Sequence, residues 1–253
     1  MKKANKKKVN AAILIIGNEI LSGRTQDLNV SFLSNWLNDR CGISVEEVRV
    51  IPDIESKIVK NVLELSKNFN YIFTTGGIGP THDDITAKSL SKAFKKKYEY
   101  HKEAYSILER YYNKINFNEG RKKMAKMPRD SSLIYNPVSA APGFIIKNVI
   151  CLPGVPSILK AMIENVKKYL MKGSVILNKS INLYTVESNI SKELTKIQKK
   201  YKKSVDIGSY PFFRLGKIGV SIVLRSSNIK IINLCYKNIL QVVKKKKIKL
   251  FKN

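Results

Sequence analysis

The 253-residue chain is 43% hydrophobic, an ordinary value for a globular protein, and is long enough for one large domain or for one medium and one small. No apolar run approaches the roughly 18 residues needed to cross a bilayer, and the three widely spaced cysteines, Cys41, Cys151 and Cys235, argue against a disulfide framework or a zinc site and for a reducing, cytoplasmic setting. The net charge of +28 is carried mainly by lysine, with only 8 arginines among 47 basic residues, and no basic motif interleaved with aromatics appears; it reads as solvated surface charge that draws in phosphorylated small molecules, with nucleic acid not expected.

The first ten residues, MKKANKKKVN, look like the start of a secretion signal. The apolar run that follows, 11–16, is only six residues long and passes directly into Gly17-Asn18-Glu19, so it reads as a first strand. Leu28, Phe32, Leu33, Trp36 and Leu37 then recur at helical spacing, and Gly42 supplies the stop. Residues 44–51 form the next strand. Pro52-Asp53 opens a helix with Ile54, Ile58, Val62 and Leu65 as its stripe and Asp53 in the place of an N-cap.

Residues 71–86, YIFTTGGIGPTHDDIT, are the most informative stretch. A β-branched and aromatic strand breaks into Gly76-Gly77-Ile78-Gly79-Pro80, and a helical pattern begins at 87. Strand, glycine turn and helix start together aim backbone N–H groups at one spot, which is an anion site. It is not a Walker loop, because Pro80-Thr81 stand where Lys-Ser/Thr is needed, and it lacks the G-x-G-x-x-G dinucleotide pattern. The adjacent carboxylates of Asp83 and Asp84 would repel a phosphate directly. They suit a divalent cation, a hydroxyl group or a helix cap. Alternation of strand and helix predicts a parallel sheet with helices on both faces, whose ligands lie beyond the carboxyl ends of the strands. Glu19, Asp53 and residues 76–84 all follow strands and so share that edge.

Further on, 102–116 is helical, 132–135 is a short strand, and Asn136 to Phe144 is a loop with unusual backbone requirements. Residues 144–152 read as a hairpin around Lys147-Asn148, and Pro156 opens a helix over 158–170. The pattern changes at Gly173. A strand at 178–186, a helix at 190–201 capped by Ser188, strands at 205–213 and 217–224 joined at Leu215-Gly216, and a helix at 228–246 follow. That last helix turns Ile231, Ile232, Leu234, Cys235, Ile239 and Val243 inward. The fold class is therefore α/β: a three-layer α/β/α domain on a mostly parallel sheet over 1–172, then a small two-layer α+β domain over 173–253.

Thr74-Thr75-Gly76-Gly77-Ile78-Gly79-Pro80-Thr81-x-Asp83-Asp84-Ile85-Thr86 resembles the signature of the MoaB/Mog molybdopterin-binding family, and above all its CinA-like (competence/damage-inducible protein A) branch. The segments GNEILSG (17–23), Asp27-Leu28-Asn29, Asn118-Glu119-x-Arg121 and Gly208-Ser209-Tyr210-Pro211 resemble the same branch. The resemblance implies a pocket for a phosphate or pyrophosphate with an adenylyl or pterin part, and a homodimer or homotrimer. It makes Asp53 and Asp84 candidate catalytic residues, and Asp84, Asp53 and Glu19 candidate ligands of Mg, Mn or Co. It assigns ligand binding to Gly76, Gly77, Gly79, Thr81, Asp83, Thr86, Asn18, Glu19, Asp27, Asn29, Asn136, Ser139, Pro142, Gly143, Pro153 and Gly154. The implied activity is metal-dependent hydrolysis of ADP-ribose-type pyrophosphates; the alternatives are molybdopterin binding in molybdenum cofactor biosynthesis, or binding without turnover. Asn18 stands where the family often has Asp, Ser139-Ala140 where it has Gly-Thr, and Ile158 where it has Glu, and these losses favour the last alternative. The amidase domain of longer members is not expected, nor is its deamidation of nicotinamide mononucleotide.

Overall fold

The computed structural model describes residues 9–202, 204–214 and 216–251; Leu215 of the expected turn, and the basic residues that open the chain, lie outside them. The chain divides into two compact units, Met1–Ser174 and Val175–Asn253.

The first unit runs β1 (Val9–Ile16), α1 (Asn18–Leu21), α2 (Asn29–Trp36), a π-helical turn (Leu37–Cys41), β2 (Ile43–Ile51), α3 (Glu55–Asn68), β3 (Tyr71–Thr75), α4 (Thr86–Ala93), β4 (Tyr98–Tyr100), α5 (Lys102–Asn116), α6 (Glu119–Lys123), β5 (Lys126–Pro128), β6 (Ser132–Ile134), β7 (Gly143–Ile146), β8 (Val149–Leu152) and α7 (Pro156–Met162), extended by a 3-10 turn (Ile163–Tyr169). Six strands form one sheet in the order β2-β1-β3-β8-β7-β6. The first four are parallel; β7 runs antiparallel to β8, and β6 antiparallel to β7, so β7 is the reversed strand of the sheet. Alternation along β1 decides the layers. Ala12, Leu14 and Ile16 face α3, α4 and α5, packing on Ile58, Val62, Leu90 and Leu108. Ala11, Ile13 and Ile15 face the other way, onto Leu33, Trp36, Leu159 and Met162. Both faces are covered, so β3 is buried along its whole length, as central parallel strands are. This is the three-layer α/β/α architecture that the sequence predicts.

Several local expectations change. Asp53 does not cap α3, whose N-cap is Ile54, and neither Asp83 nor Asp84 caps α4, whose N-cap is Ile85. β4 and β5 pair into a separate two-stranded ribbon that the sequence reading missed, because three-residue strands leave no periodicity to detect.

The second unit runs β9 (Leu177–Tyr184), a 3-10 turn (Glu187–Asn189), α8 (Ser191–Tyr201), β10 (Asp206–Arg214), β11 (Lys217–Ser226), α9 (Ile229–Lys245) and β12 (Lys249–Leu250). Its four strands form an antiparallel sheet in the order β10-β11-β9-β12, the last strand being an addition to the expected set. Ile181, Leu183, Val220, Ile222 and Leu224 on the sheet pack against Ile197, Ile232, Cys235, Ile239 and Val243 on the helices. Asn228 caps α9 by accepting from Lys230 N and Ile231 N. Ser188 does not cap α8, which starts behind the 3-10 turn with Ile190 as N-cap, and Leu234 faces outward, 55% exposed.

Candidate functional site

The carboxyl ends of β1, β2, β3 and β8 meet at one edge, and short contacts lock their loops together. Gly17 N donates to Ile51 O (3.1 Å), joining the exits of β1 and β2, and Asn18 N donates to Asp53 Oδ2 (2.8 Å). Gly76 N donates to Leu152 O (3.2 Å), joining β3 to β8. Gly76 has φ +98°, and a Cβ there would lie 2.1 Å from Ile16 O; Gly77 has φ +68°, and a Cβ there would lie 2.1 Å from Thr86 Oγ1. Only glycine suits either position. Thr86 closes the loop from the helix side, with its N donating to Gly77 O (2.9 Å) and its Oγ1 to Gly76 O (3.0 Å). Further along, Asp84 Oδ2 accepts from Thr81 N (2.8 Å) and Thr81 Oγ1 (2.5 Å), so this carboxylate ties the turn behind Pro80 instead of capping a helix.

Beside this edge opens a cavity of about 710 Å³, within the range of small-molecule sites. Its wall brings together Glu19, Gly76, Gly77, Gly79, Asp84, Asn136, Ser139, Pro142, Pro153 and Gly154 of the predicted set. Asp27 and Asn29 line a smaller cavity of about 50 Å³ that shares Glu19, Thr25, Gly154 and Pro156 with the larger one. There, Asn29 Nδ2 donates to Gly154 O (2.7 Å) and Asp27 Oδ1 accepts from Val30 N (2.8 Å). The remaining expected residues stand off the wall of the large cavity. Asn18 and Asp53 form the clamp between β1 and β2, and Thr81 and Asp83 bond one another at 2.5 Å. Thr86 is buried beneath the loop, and Gly143 is a packing position where a Cβ would meet Cys151 O at 2.4 Å. On the wall itself, Asn136 spends its side chain on its own loop, donating to Ser139 Oγ and Ala141 O and accepting from Val138 N and Ser139 N. Ala140 adopts φ +61°.

The cavity also has walls that the sequence reading did not assign: Thr25, Ile78, Tyr112, Met124, Val155 and Pro156. Tyr112 lies in a helix stripe that reads as core, so nothing in the sequence marks it. Arg121 and Ile158, each noted in the sequence, line the cavity too.

Acidic groups gather at this edge. Burial raises the Asp53 carboxyl above its ordinary range; the Asn18 amide opposes this, and the nearby charges of Glu19 and Asp83 add to it. The Thr81 hydroxyl holds Asp83 below its ordinary range. Among the described residues no three His, Cys, Asp or Glu side chains stand close enough to hold a metal ion by themselves, so Asp53, Asp84 and Glu19 do not form a ready-made cage. Glu19 and Asp84 do share the cavity wall, and two carboxylates completed by ligand phosphate oxygens are an ordinary setting for Mg²⁺. No helix among the described residues is long and apolar enough to cross a membrane.

A mostly parallel sheet with a glycine-lined, partly acidic cavity at its carboxyl edge defines a small-molecule-binding α/β protein. Residues 12–172 match the model of the "probable molybdopterin binding domain", and residues 175–252 match that of the "FAD synthase, middle domain". A solved structure of CinA from Thermoplasma acidophilum, described as of unknown function, is similar over 65% of this chain and 99% of its own, with 32% identity and a TM-score of 0.61. An Archaeoglobus fulgidus protein is 34% identical over 79% of this chain and 84% of its own length. A Clostridioides difficile protein described as competence-damage inducible is 33% identical over 75% of this chain and 47% of its own length. The chain belongs to the MoaB/Mog-like molybdopterin-binding family, in its CinA-like branch.

Proposed function

We propose that the large cavity binds a nucleotide carrying a pyrophosphate and that the protein hydrolyses it with the help of a divalent cation. The observation that carries this reading is the composition of one wall: the glycine loop at Gly76, Gly77 and Gly79 lies beside Asp84, Glu19 and Arg121 around a single cavity. Loop amides suit phosphate oxygens. Glu19 and Asp84 would hold Mg²⁺, Mn²⁺ or Co²⁺ together with those oxygens, and such an ion supplies charge neutralisation to the phosphoryl group and acidity to a bound water. Water adds to one phosphorus, the bridging P–O bond breaks, the departing phosphate takes the bond's electrons, and the water's proton passes to a carboxylate of the wall. AMP and a second phosphate monoester result from an ADP-ribose-type substrate. Asp53 acts one step back, holding the Asn18–Glu19 turn through its bond to Asn18 N. The match of residues 175–252 to the model of the FAD synthase middle domain supports a nucleotide-related role and makes FAD, another adenylyl pyrophosphate, worth testing.

The second reading, molybdopterin binding, is favoured by the family model that matches residues 12–172. A pterin with its phosphate, like a nucleotide, joins a planar heteroaromatic ring to an anion, and this reading would seat it in the same cavity.

The test is incubation of the purified protein with ADP-ribose, FAD, NADH and ATP, each with Mg²⁺, Mn²⁺ or Co²⁺, followed by chromatography for AMP. Metal-dependent AMP release supports the hydrolase. Absence of AMP from every pairing removes it and leaves ligand binding as the role.

A further inference from the structure

The cavity holds a built aromatic and cationic stack. Among the described residues that line it, Tyr112 is the one aromatic side chain, and it faces Arg121, whose guanidinium carbon lies 4.2 Å from the ring centroid. Neither group is loosely placed. Arg121 Nη1 donates to Asn116 O, and Asn116 N donates to Asn113 Oδ1 at 3.2 Å. Asn113 breaks α5 immediately after Tyr112, with φ 53° and ψ 168°, a conformation that costs free energy and persists only where its surroundings hold it. The segment is also seated on the glycine loop: a Cβ on Gly120 would lie 3.2 Å from Pro80 O, and Lys123 Nζ donates to Thr81 O. A stack fixed in this way stands next to the loop that suits phosphate.

We propose that the Tyr112–Arg121 pair is the base-recognition element of this cavity, taking the planar heteroaromatic base of the ligand while the glycine loop takes its phosphate. The inference rests on the nucleotide reading above and adds that the ligand is chosen by its base. Bases stack on phenol rings and on guanidinium planes because both present flat, polarisable faces, and a cation against the ring strengthens the platform. Met124 and Ile158 supply apolar wall to the same cavity, which suits a base and not a second phosphate.

Titration calorimetry with AMP and with ribose 5-phosphate, which lacks only the base, tests this. Tyr112→Leu is expected to weaken AMP binding by roughly 5- to 150-fold, the range of base–aromatic stacking, and to leave ribose 5-phosphate unchanged, while Tyr112→Phe keeps AMP binding. Saturation-transfer NMR on the unmodified protein gives a reading that needs no variant: the adenine H8 and H2 protons of AMP are expected to take up more saturation than the ribose protons. Equal losses for both ligands in Tyr112→Leu, no loss for AMP, or no preference of the unmodified protein for AMP over ribose 5-phosphate would overturn the proposal. Protein that binds AMP by its base yet cleaves no pyrophosphate refutes the hydrolase and leaves the stack; protein that cleaves adenylyl pyrophosphates but shows no base preference refutes the stack and leaves the hydrolase.

Discussion

Gly77 shows how little freedom the site has. A methyl group there meets Thr86 Oγ1 at 2.1 Å, and its φ of +68° disfavours any Cβ. Gly77→Ala is therefore expected to cost about 1–3 kcal/mol by overpacking and backbone strain, measured as a lower midpoint in urea with an unchanged slope; an unchanged midpoint would show that the loop is not held as described. Asp53 gives a prediction in pH. Its folded carboxyl binds a proton more tightly than the unfolded one, because burial and the charges of Glu19 and Asp83 disfavour the anion. Stability is thus lost as pH rises from the ordinary value of 3.8 through the raised folded value, and regained as pH falls back. Asp53→Asn keeps an acceptor for the Asn18 amide and removes that loss. Its Tm relative to the unmodified protein is expected to climb across this window, and parallel curves would contradict the assignment.

At the scale of elements, α4 is the strut behind the glycine loop. Leu90 is fully buried between α4 and the sheet, and Leu90→Ala is expected to cost about 2–5 kcal/mol of stability by leaving a cavity. Thermal unfolding checks this, and a loss below 1 kcal/mol would mean that the layer packs otherwise than described. The elements were legible because their signals are periodic: Ile58, Val62 and Leu65 mark the inner stripe of α3, and the unbroken apolar run of β3 marks a strand covered on both faces. Capping, one of the roles open to Asp53, Asp83 and Asp84, could not be told apart in the sequence, because a carboxylate before a helix has the same pattern whether it caps or reaches a neighbouring loop. Asp53 bonds a residue 35 positions away, and no local pattern encodes that. The carboxyl-edge position of Glu19 and of the glycine loop was legible from topology alone. Tyr112 was not, since it continues the i, i+4 stripe of Ala104 and Leu108, which is that of a core residue.

Over the whole molecule, charge and burial follow separate logics. None of the described lysines and arginines is buried, while the three thiols are, Cys41 and Cys151 in the first unit and Cys235 in the second. Burial pushes Cys151 up to about 12 and Cys235 up to about 11. The thiolate is the reactive form, so iodoacetamide is expected to label none of the three in the folded protein and all three in denaturant, read by mass spectrometry. Labelling of the native protein would mean that one of the cores opens. The central claim concerns one wall of one cavity, and the most direct measurement is AMP release by Asp84→Ala beside the unmodified protein, on the best substrate–metal pair and with the fold verified by circular dichroism. The account predicts release by the unmodified protein and a loss of at least about 100-fold in the variant, the scale of removing one electrostatic element of a phosphoryl-transfer site. Undiminished release by Asp84→Ala would contradict it and move the chemistry away from the glycine loop.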